Sequence, residues 1–300
     1  MNALILLNPH AAGGRARQLH PRLLRWCQEN TSAHQAQVEV QMPESIHAAL
    51  QMLGELNSPT RVIVVGGDGS LNQLLPGLLN EHHEVGLVPY GSGNDCARAW
   101  GLLNMNWLEA LQFAINHSPK DIDIGSVTLP SGHIHYFHSS LAVGFDASVG
   151  NRALAGPKYL RGLPRYLLAT LRELTHLQNW DMSISIDGQI VHEGTTLLAS
   201  TLNTASYGGG MPAVPQALID DGQLNLLVAG QFDRLQTLLM LPRLLVGHHL
   251  SHARIQSEPF TKASIQSTLL LPIAVDGETL GHASQIEIQV LPRALKVIRN

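Results

Sequence analysis

Cysteine is nearly missing from this chain: Cys27 and Cys96 are the two in 300 residues. They stand far apart, match no metal or redox spacing and cannot frame a disulfide-held fold, so a reducing compartment is expected. Charge is sparse too, at 14% of residues, and acids exceed bases by 23 to 19, a net charge of −4. That balance argues against nucleic acid as a default partner. No apolar run approaches the roughly eighteen residues of a membrane-spanning helix, so any membrane contact should be peripheral. The opening MNALILLNPHAAGG has no basic stretch, and its apolar run Ala3–Leu7 stops at Asn8-Pro9. It reads as the first strand of a cytoplasmic protein, not as a signal peptide. Gly-Lys-Ser/Thr is absent, which excludes a P-loop. The loose Gly-x-Gly-x-x-Ala from Gly208 to Ala213 carries Pro212 and is followed by VPQALIDDGQLNL, which is no Rossmann helix. Sixteen histidines include no HExxH. His248, His249 and His252 read as a polar helix end and His82-His83 as a loop. Neither low-complexity sequence nor an internal repeat is found.

What is present begins with VIVVGGDGSLNQLL, Val62–Leu75. The uninterrupted Val62, Ile63, Val64 and Val65 suit a strand buried on both faces. Gly66, Gly67 and Gly69 offer backbone that turns sharply and lets a ligand approach with no Cβ in the way. Leu71, Leu74, Leu75 and Leu78 then recur at helical spacing. A glycine-rich strand-to-helix turn aims free amides outward and suits phosphate. Asp68 is the anomaly, since an acid repels phosphate unless a cation lies between them. A structural turn in which Asp68 caps the following helix explains the same residues, and this motif alone leaves both readings open.

At 44% hydrophobic residues the chain can fill two cores. Strands are expected at Ala3–Leu7, Gln37–Gln41, Val62–Val65 and Val85–Val88. Helices are expected at Ala16–Glu29, Ser45–Leu56, Leu71–Asn80, Asp95–Trp100 and Asn106–Ile115. This order implies a doubly wound parallel sheet with ligands at the carboxyl ends of its strands, where three glycine-bearing turns fall. After about Asp121, period-two segments and Asp-Gly turns mark antiparallel sheet. Helices interrupt it at Leu160–Leu177 and around Arg234–Val246, with Pro242 as a break. The fold class is α/β: a doubly wound parallel-sheet domain over residues 1–121, then a mostly antiparallel β domain over 122–288. Gln285–Leu291 reads as a late strand, after which residues 289–300 could return to the first domain.

A second turn lies in PYGSGNDCARAWGL, Pro89–Leu102, where Gly91 and Gly93 flank Ser92 and Asn94-Asp95 open a helix as caps. Taken with NPHAAGG (Asn8–Gly14), GGDGSLNQ (Gly66–Gln73), GFDASV (Gly144–Val149), YGGGMPAVPQALIDDGQLNLL (Tyr207–Leu227) and VDGE (Val275–Glu278), it resembles the diacylglycerol kinase catalytic domain family. That family includes bacterial YegS-like lipid kinases and sphingosine kinases, and the resemblance runs through nearly the whole chain in motif order. Phosphofructokinases share GGDGS, but their Thr-Ile-Asp-Asn-Asp stretch is missing here. NAD kinases share GGDG-Thr, but GSGNDCA replaces their Asn-x-Gly-x-Leu-Gly-Phe turn. A kinase of a soluble substrate from either group, or a nucleotide- or lipid-binding module without catalysis, stands as the alternative.

The resemblance implies an ATP- and Mg²⁺-dependent kinase that phosphorylates a lipid hydroxyl, of diacylglycerol or a related lipid alcohol, at a membrane surface. Its nucleotide domain would hold the ATP phosphates on the backbone of Gly66, Gly67, Asp68, Gly69, Ser70, Leu71 and Asn72 and on the Ser92 hydroxyl. Asn8 would touch the nucleotide, and the lipid would enter from the β domain. Asp68 would hold Mg²⁺ directly or through water, which removes the anomaly. Met42 stands where the family often has a nucleotide-binding Thr; a thioether cannot donate a hydrogen bond, so Met42 is left out of the site. The family's proton acceptor matches Glu278, with Asp276 as the second candidate. Asp187-Gly188 shows that an Asp-Gly turn alone proves nothing. A structural Mg²⁺ is implied at Leu218, Asp221 and Gln223, against an ordinary hairpin turn for Asp220-Asp221-Gly222.

Between Ala147 and Arg172 there is no acid, while Arg152, Lys158, Arg161, Arg165 and Arg172 interleave with Leu160, Leu163, Leu167, Leu168 and Leu171. A basic, leucine-rich helix suits an anionic bilayer. Leucines facing a core with arginines in water would give the same pattern.

Overall fold

The structure is a computed structural model that describes residues 2–34, 38–56, 58–80, 83–157, 160 and 162–300. The expectations placed on Gln37, His82, Lys158 and Arg161 lie outside the described residues. The chain divides into two compact units, residues 1–122 with 293–300 and residues 123–292.

In the first unit β1 (Ala3–Leu7), β2 (Val38–Gln41), β3 (Arg61–Gly66) and β4 (Glu84–Pro89) form a parallel sheet in the order β2-β1-β3-β4. β1 and β3 are buried at every position, as strands covered on both faces must be. Lys296 and Val297, near the end of the chain, pair in parallel with Glu84 and Val85. The helices are α1 (His20–His34), α2 (Ile46–Gly54), α3 (Asp68–Asn80), α4 (Asp95–Ala99) and α5 (Trp107–Asn116). The first helix starts later than its composition suggests. Ala11–Leu19 is a 3₁₀ segment broken by left-handed Ala12, Gly13 and Gly14, and Pro21 then sits in the first turn of α1, where its missing N–H is harmless. Ser45 caps α2 by accepting from Ala48 N, and Asn106 with Glu109 forms a capping box on α5. Arg61, 6% exposed, reaches Glu84 and the Ala114 and Ile115 carbonyls at the C-terminus of α5, where a helix attracts positive charge.

The second unit is antiparallel. Its strands are β5 (Lys120–Thr128), β6 (Ile134–Phe137), β7 (Ser140–Val143), β8 (Trp180–Ile186), β9 (Gln189–Leu202), β10 (Leu224–Gly230), β11 (Ile255–Phe260), β12 (Lys262–Val275) and β13 (Glu278–Val297). The long strands β9 and β12 each pair with β8 at one end and with β7 at the other. A register shift between Gln266 and Leu271 bends β12 between those partners. Two-residue turns close the β8–β9 and β12–β13 hairpins. Asp187-Gly188 has φ of 46° and 86°, Asp276-Gly277 of 46° and 87°. Positive φ at both positions makes each a type I′ turn, whose twist matches that of its strands.

Among the described residues, the α-helices of this unit are α6 (Phe145–Leu154), α7 (Leu163–Glu173) and α8 (Arg234–Leu245). α6 was not expected. Its sequence is short and carries Gly150, yet Phe145, Val149 and Ala153 reach the core at helical spacing and hold it. The single helix expected over Leu160–Leu177 stops at Glu173 and gives way to a 3₁₀ turn, Leu174–His176. α8 continues through Pro242 instead of breaking there, because Met240 and Leu244 pack on the core either side of it. Among the described residues, no helix is long and apolar enough to cross a membrane.

Candidate active site

Two turns lie side by side at the carboxyl ends of β3 and β4. Tyr90 N donates to the Gly66 carbonyl at 2.7 Å. A Cβ on Gly67 would lie 2.7 Å from Gly91 Cα, and one on Gly91 would lie 2.6 Å from Gly67 Cα. At Gly66 a Cβ would meet Ser70 Oγ at 2.5 Å. Gly66, Gly67 and Gly69 all keep ordinary negative φ. The chain passes from strand to helix between Gly66 and Asp68 without left-handed backbone, and glycine is required at 66 and 67 because the chain packs closely against itself. α3 begins inside the motif at Asp68, three residues ahead of the helix start expected at Leu71.

Asp68 occupies the first turn of α3, yet it caps a different helix. Its Oδ2 accepts from Asp95 N at 3.1 Å and its Oδ1 from Cys96 N at 2.9 Å, both at the start of α4. The cap expected from Asn94 is absent, because Asn94 takes left-handed φ and turns its Oδ1 back to accept from Gly91 N at 3.0 Å. Asp68 replaces it from the neighbouring turn, so one carboxylate ties the two motifs together. Gly93 lies between two acids: a Cβ there would be 3.1 Å from Asp68 Oδ2 and 3.7 Å from Asp95 Oδ2. Such oxygens suit Mg²⁺, which takes one or two carboxylates and completes its shell with water and phosphate oxygens. Among the described residues no three His, Cys, Asp or Glu side chains gather into a metal cage.

Asn8, just after β1, donates through Nδ2 to Ser70 Oγ at 2.7 Å and accepts from His10 N at 2.9 Å. Both residues line a cavity of this unit, bounded by Pro43, Ser45 and Gln73. Ser92 is exposed, Asn72 half-buried and Leu71 fully buried, with its N–H donating to the Gly67 carbonyl at 3.2 Å. Met42 packs against the core as an apolar side chain.

In the second unit the Asp276 side chain is 0% exposed. Its Oδ1 accepts from Ser139 N and Ser140 N, and its Oδ2 from His138 N, each at 2.9 Å. The His138 ring lies 3.4 Å from Oδ2. Asp276 thus anchors its turn to the start of β7, while Glu278, the first residue of β13, stays half-exposed. The loop carrying Leu218, Asp221 and Gln223 is exposed, and Asp221 Oδ1 accepts from Gln223 N at 3.0 Å. Behind it lies buried Asp123, whose N–H donates to the Ile219 carbonyl at 2.7 Å and whose Oδ2 accepts from Gly222 N at 2.6 Å. The remaining Asp221 oxygen and the Leu218 and Gln223 carbonyls are donors of the kind Mg²⁺ takes.

Asp123 and Asp146 escaped the sequence reading. Asp146 lies within GFDASV and faces an apolar cavity of about 90 Å³, far below the roughly 300–1,000 Å³ of ordinary ligand sites. Asp146 is half-buried and lines that cavity, and burial pushes its carboxyl up to about 7 against hydrogen bonds from Ser200 Oγ and Ala147 N. Tyr207, on the same cavity, is raised by burial and then by the Asp146 charge. The histidines lead elsewhere. His83 Nδ1 accepts from Thr60 N at 3.1 Å, and His249 Nε2 lies 2.8 Å from the Ala213 carbonyl, both in the core.

Residues 2–127 match the diacylglycerol kinase catalytic domain, and residues 139–299 match the YegS C-terminal NAD kinase beta sandwich-like domain. Among solved structures, a diacylglycerol kinase from Bacillus anthracis aligns with TM-score 0.69 at 18% identity, covering 100% of this chain and 97% of that one. An NAD kinase from Archaeoglobus fulgidus in complex with ATP aligns with TM-score 0.53 at 13% identity, covering 100% and 94%. These two share the fold of this chain. A diacylglycerol kinase of Mycobacterium tuberculosis is 30% identical over 238 residues, 79% of this chain and 76% of that protein. A Chromohalobacter salexigens protein named "Probable lipid kinase YegS-like" is 30% identical over 240 residues, 78% and 74% of the two chains. This chain belongs to the family of diacylglycerol kinases and YegS-like lipid kinases, and as such it is a kinase.

Proposed function

We propose that the protein transfers the γ-phosphoryl group of ATP to the hydroxyl of diacylglycerol or a related lipid alcohol at a membrane surface. The observation that carries this reading is the joined pair of glycine turns, with Asp68 bonded across them to Asp95 N and Cys96 N. Backbone N–H groups of the Gly66–Asn72 segment and the exposed Ser92 hydroxyl would hold the phosphates, and Asn8 would contact the nucleotide. Asp68, with Asp95 beside it, would hold Mg²⁺, which neutralises phosphate charge when bound. The lipid oxygen forms the new bond to phosphorus, ADP leaves, and Glu278 receives the hydroxyl proton. Asp276 suits that task less well, because three backbone N–H groups already occupy its oxygens. Leu218, Asp221 and Gln223 would hold a second, structural Mg²⁺; Mg²⁺ should then raise the melting temperature of the parent and not of Asp221→Ala.

The test is incubation of purified protein with radiolabelled ATP, Mg²⁺ and, separately, dispersed diacylglycerol, a mixed lipid extract, NAD and fructose 6-phosphate. Label should enter the lipid phase alone and only with Mg²⁺. Asp68→Ala should abolish transfer while losing only a cap, about 0.5–2 kcal/mol of stability. Label in NAD or in the sugar phosphate, with none in lipid, overturns the reading.

A further inference from the structure

α8 is apolar on two opposite sides. Thr237, Met240, Leu241 and Leu244 line the internal cavity. On the other side Leu235, Leu239 and Val246 are 64%, 63% and 64% exposed, and Leu238 is 41% exposed. Their spacing places them on one face, beside exposed Pro242 and Arg243. A surface helix ordinarily turns polar residues to water, and a contiguous exposed apolar face marks an interaction site. From Arg234 to Ser257 there is no Asp or Glu, although the chain as a whole carries a net charge of −4; the acid just before this stretch, Asp233, caps α8 and accepts from Gln236 N at 2.8 Å. Arg234 and Arg243 flank the leucines, and among the described residues neither forms an ion pair.

The basic stretch singled out in the sequence is less free. Glu173, one residue beyond the acid-free run, pairs with Arg152, and the Arg165 guanidinium donates to the Leu154 carbonyl at 2.8 Å. Leu163, Leu167 and Leu168 of α7 are half-buried.

We propose that the outer face of α8 is the surface by which this protein rests on an anionic bilayer. The leucines enter the boundary between headgroups and acyl chains, and Arg234 and Arg243 lie against lipid phosphates. The purpose of this contact rests on the lipid-kinase reading, whereas its measurement does not. A second copy is a poorer occupant, because two-fold pairing of such faces sets arginines together with only the Asp233 carboxylates, each capping its own helix through Gln236 N, to answer them, whereas anionic lipid provides the countercharge.

The experiment is co-sedimentation of the full chain with vesicles of equal parts phosphatidylcholine and phosphatidylglycerol. Leu235→Gln with Leu239→Gln should weaken binding roughly tenfold or more, since both side chains leave water only at the membrane. Arg234→Glu with Arg243→Glu should weaken it comparably and remove most of its salt dependence. Melting temperatures should match the parent, and Arg172→Glu in α7 should bind as the parent does. Turnover on short-chain, water-dispersed diacylglycerol should be unchanged in every variant. No turnover even in the parent would count against the lipid-kinase reading and leave the vesicle result standing. Unchanged vesicle binding by the leucine variant overturns the assignment, as does loss confined to Arg172→Glu. Conversion of a dimer to a monomer by the leucine changes, with vesicle binding intact, overturns it in favour of a second copy.

Discussion

The two Asp-Gly hairpins of the second unit are the same turn put to different uses. Asp187-Gly188 and Asp276-Gly277 agree in φ to within a degree, and each joins paired antiparallel strands through two residues. In both, the carboxylate bonds to backbone of another segment. Asp187 accepts from Thr261 Oγ1 at 2.7 Å and Lys262 N at 2.9 Å in the open, while Asp276 accepts three N–H groups in the core. The residue after the glycine differs as well: exposed Gln189 in one, half-exposed Glu278 in the other. Asp-Gly therefore belongs to turn construction in both places. What separates a plain hairpin from a candidate catalytic one is the depth at which the aspartate is anchored and the acid that follows.

The largest expected effect tests the acid. Glu278→Gln should slow turnover by roughly 10²–10⁴-fold, the usual worth of a positioned base, with the melting temperature unchanged. The complementary Gln189→Glu places the same tetrapeptide pattern on the other hairpin and should do nothing to activity. If Asp276→Asn rather than Glu278→Gln abolishes turnover in protein that melts normally, the two roles must be exchanged.

The next effect tests the anchor. Asp276→Ala leaves the His138, Ser139 and Ser140 N–H groups buried without their acceptor. Breaking such a buried cluster costs about 3–5 kcal/mol, so the melting temperature should drop sharply. A drop no larger than that of an exposed substitution would mean that the turn is held from elsewhere.

The parallel sheet was legible because both-face burial writes itself as an unbroken run, Val62–Val65, and glycine-bearing turns mark strand ends. The antiparallel unit was legible through its alternation and its Asp-Gly pairs. What local pattern could not show were acids answered from far along the chain. Asp68 meets its partners 27 and 28 residues on, and Asp123 bonds to Gly222 across 99 residues. α6 was missed because its helical signal, Phe145, Val149 and Ala153, is only three residues deep. The basic stretch looked unopposed only because its partner Glu173 sits one residue past its end. The reason for glycine at 66 and 67 was equally hidden, since the atoms filling the space belong to Ser70 and Gly91.

A third aspartate extends the comparison to pH. Burial pushes Asp146 from 3.8 up to about 7. A raised carboxyl leaves the folded protein holding a proton that the unfolded chain releases. Its contribution is complete below pH 3.8 and is lost as pH rises to about 7. Relative to Asp146→Asn, which cannot ionise, the parent should lose about 1.4 kcal/mol per pH unit across that window. Parallel melting curves for the two proteins from pH 4 to pH 7 would show instead that the carboxyl is ionised at its site.

The smallest effect should come from the exposed hairpin, and its sign is opposite. The Thr261 hydroxyl, followed by backbone N–H groups of Lys262 and Thr261, holds Asp187 below its usual range. A lowered carboxyl contributes stability that is present above its unfolded pKa of about 3.9 and lost as pH falls through the folded value. Asp187→Asn removes the charge without disturbing the turn, because Asn-Gly is itself a favoured type I′ pair. At neutral pH the variant should therefore be less stable by no more than about 1 kcal/mol, since the group lies in water. The gap should close below pH 4, where the parent carboxylate begins to protonate. Asp276→Asn preserves its turn for the same reason, yet it sets an amide N–H₂ against the buried His138 N–H and should cost more at every pH. Melting the two variants and the parent at pH 3.5 and pH 7 measures all of this at once. Equal losses from the two substitutions at pH 7 would show that burial does not distinguish these hairpins, and the case for Glu278 would then rest on the residue after the glycine alone.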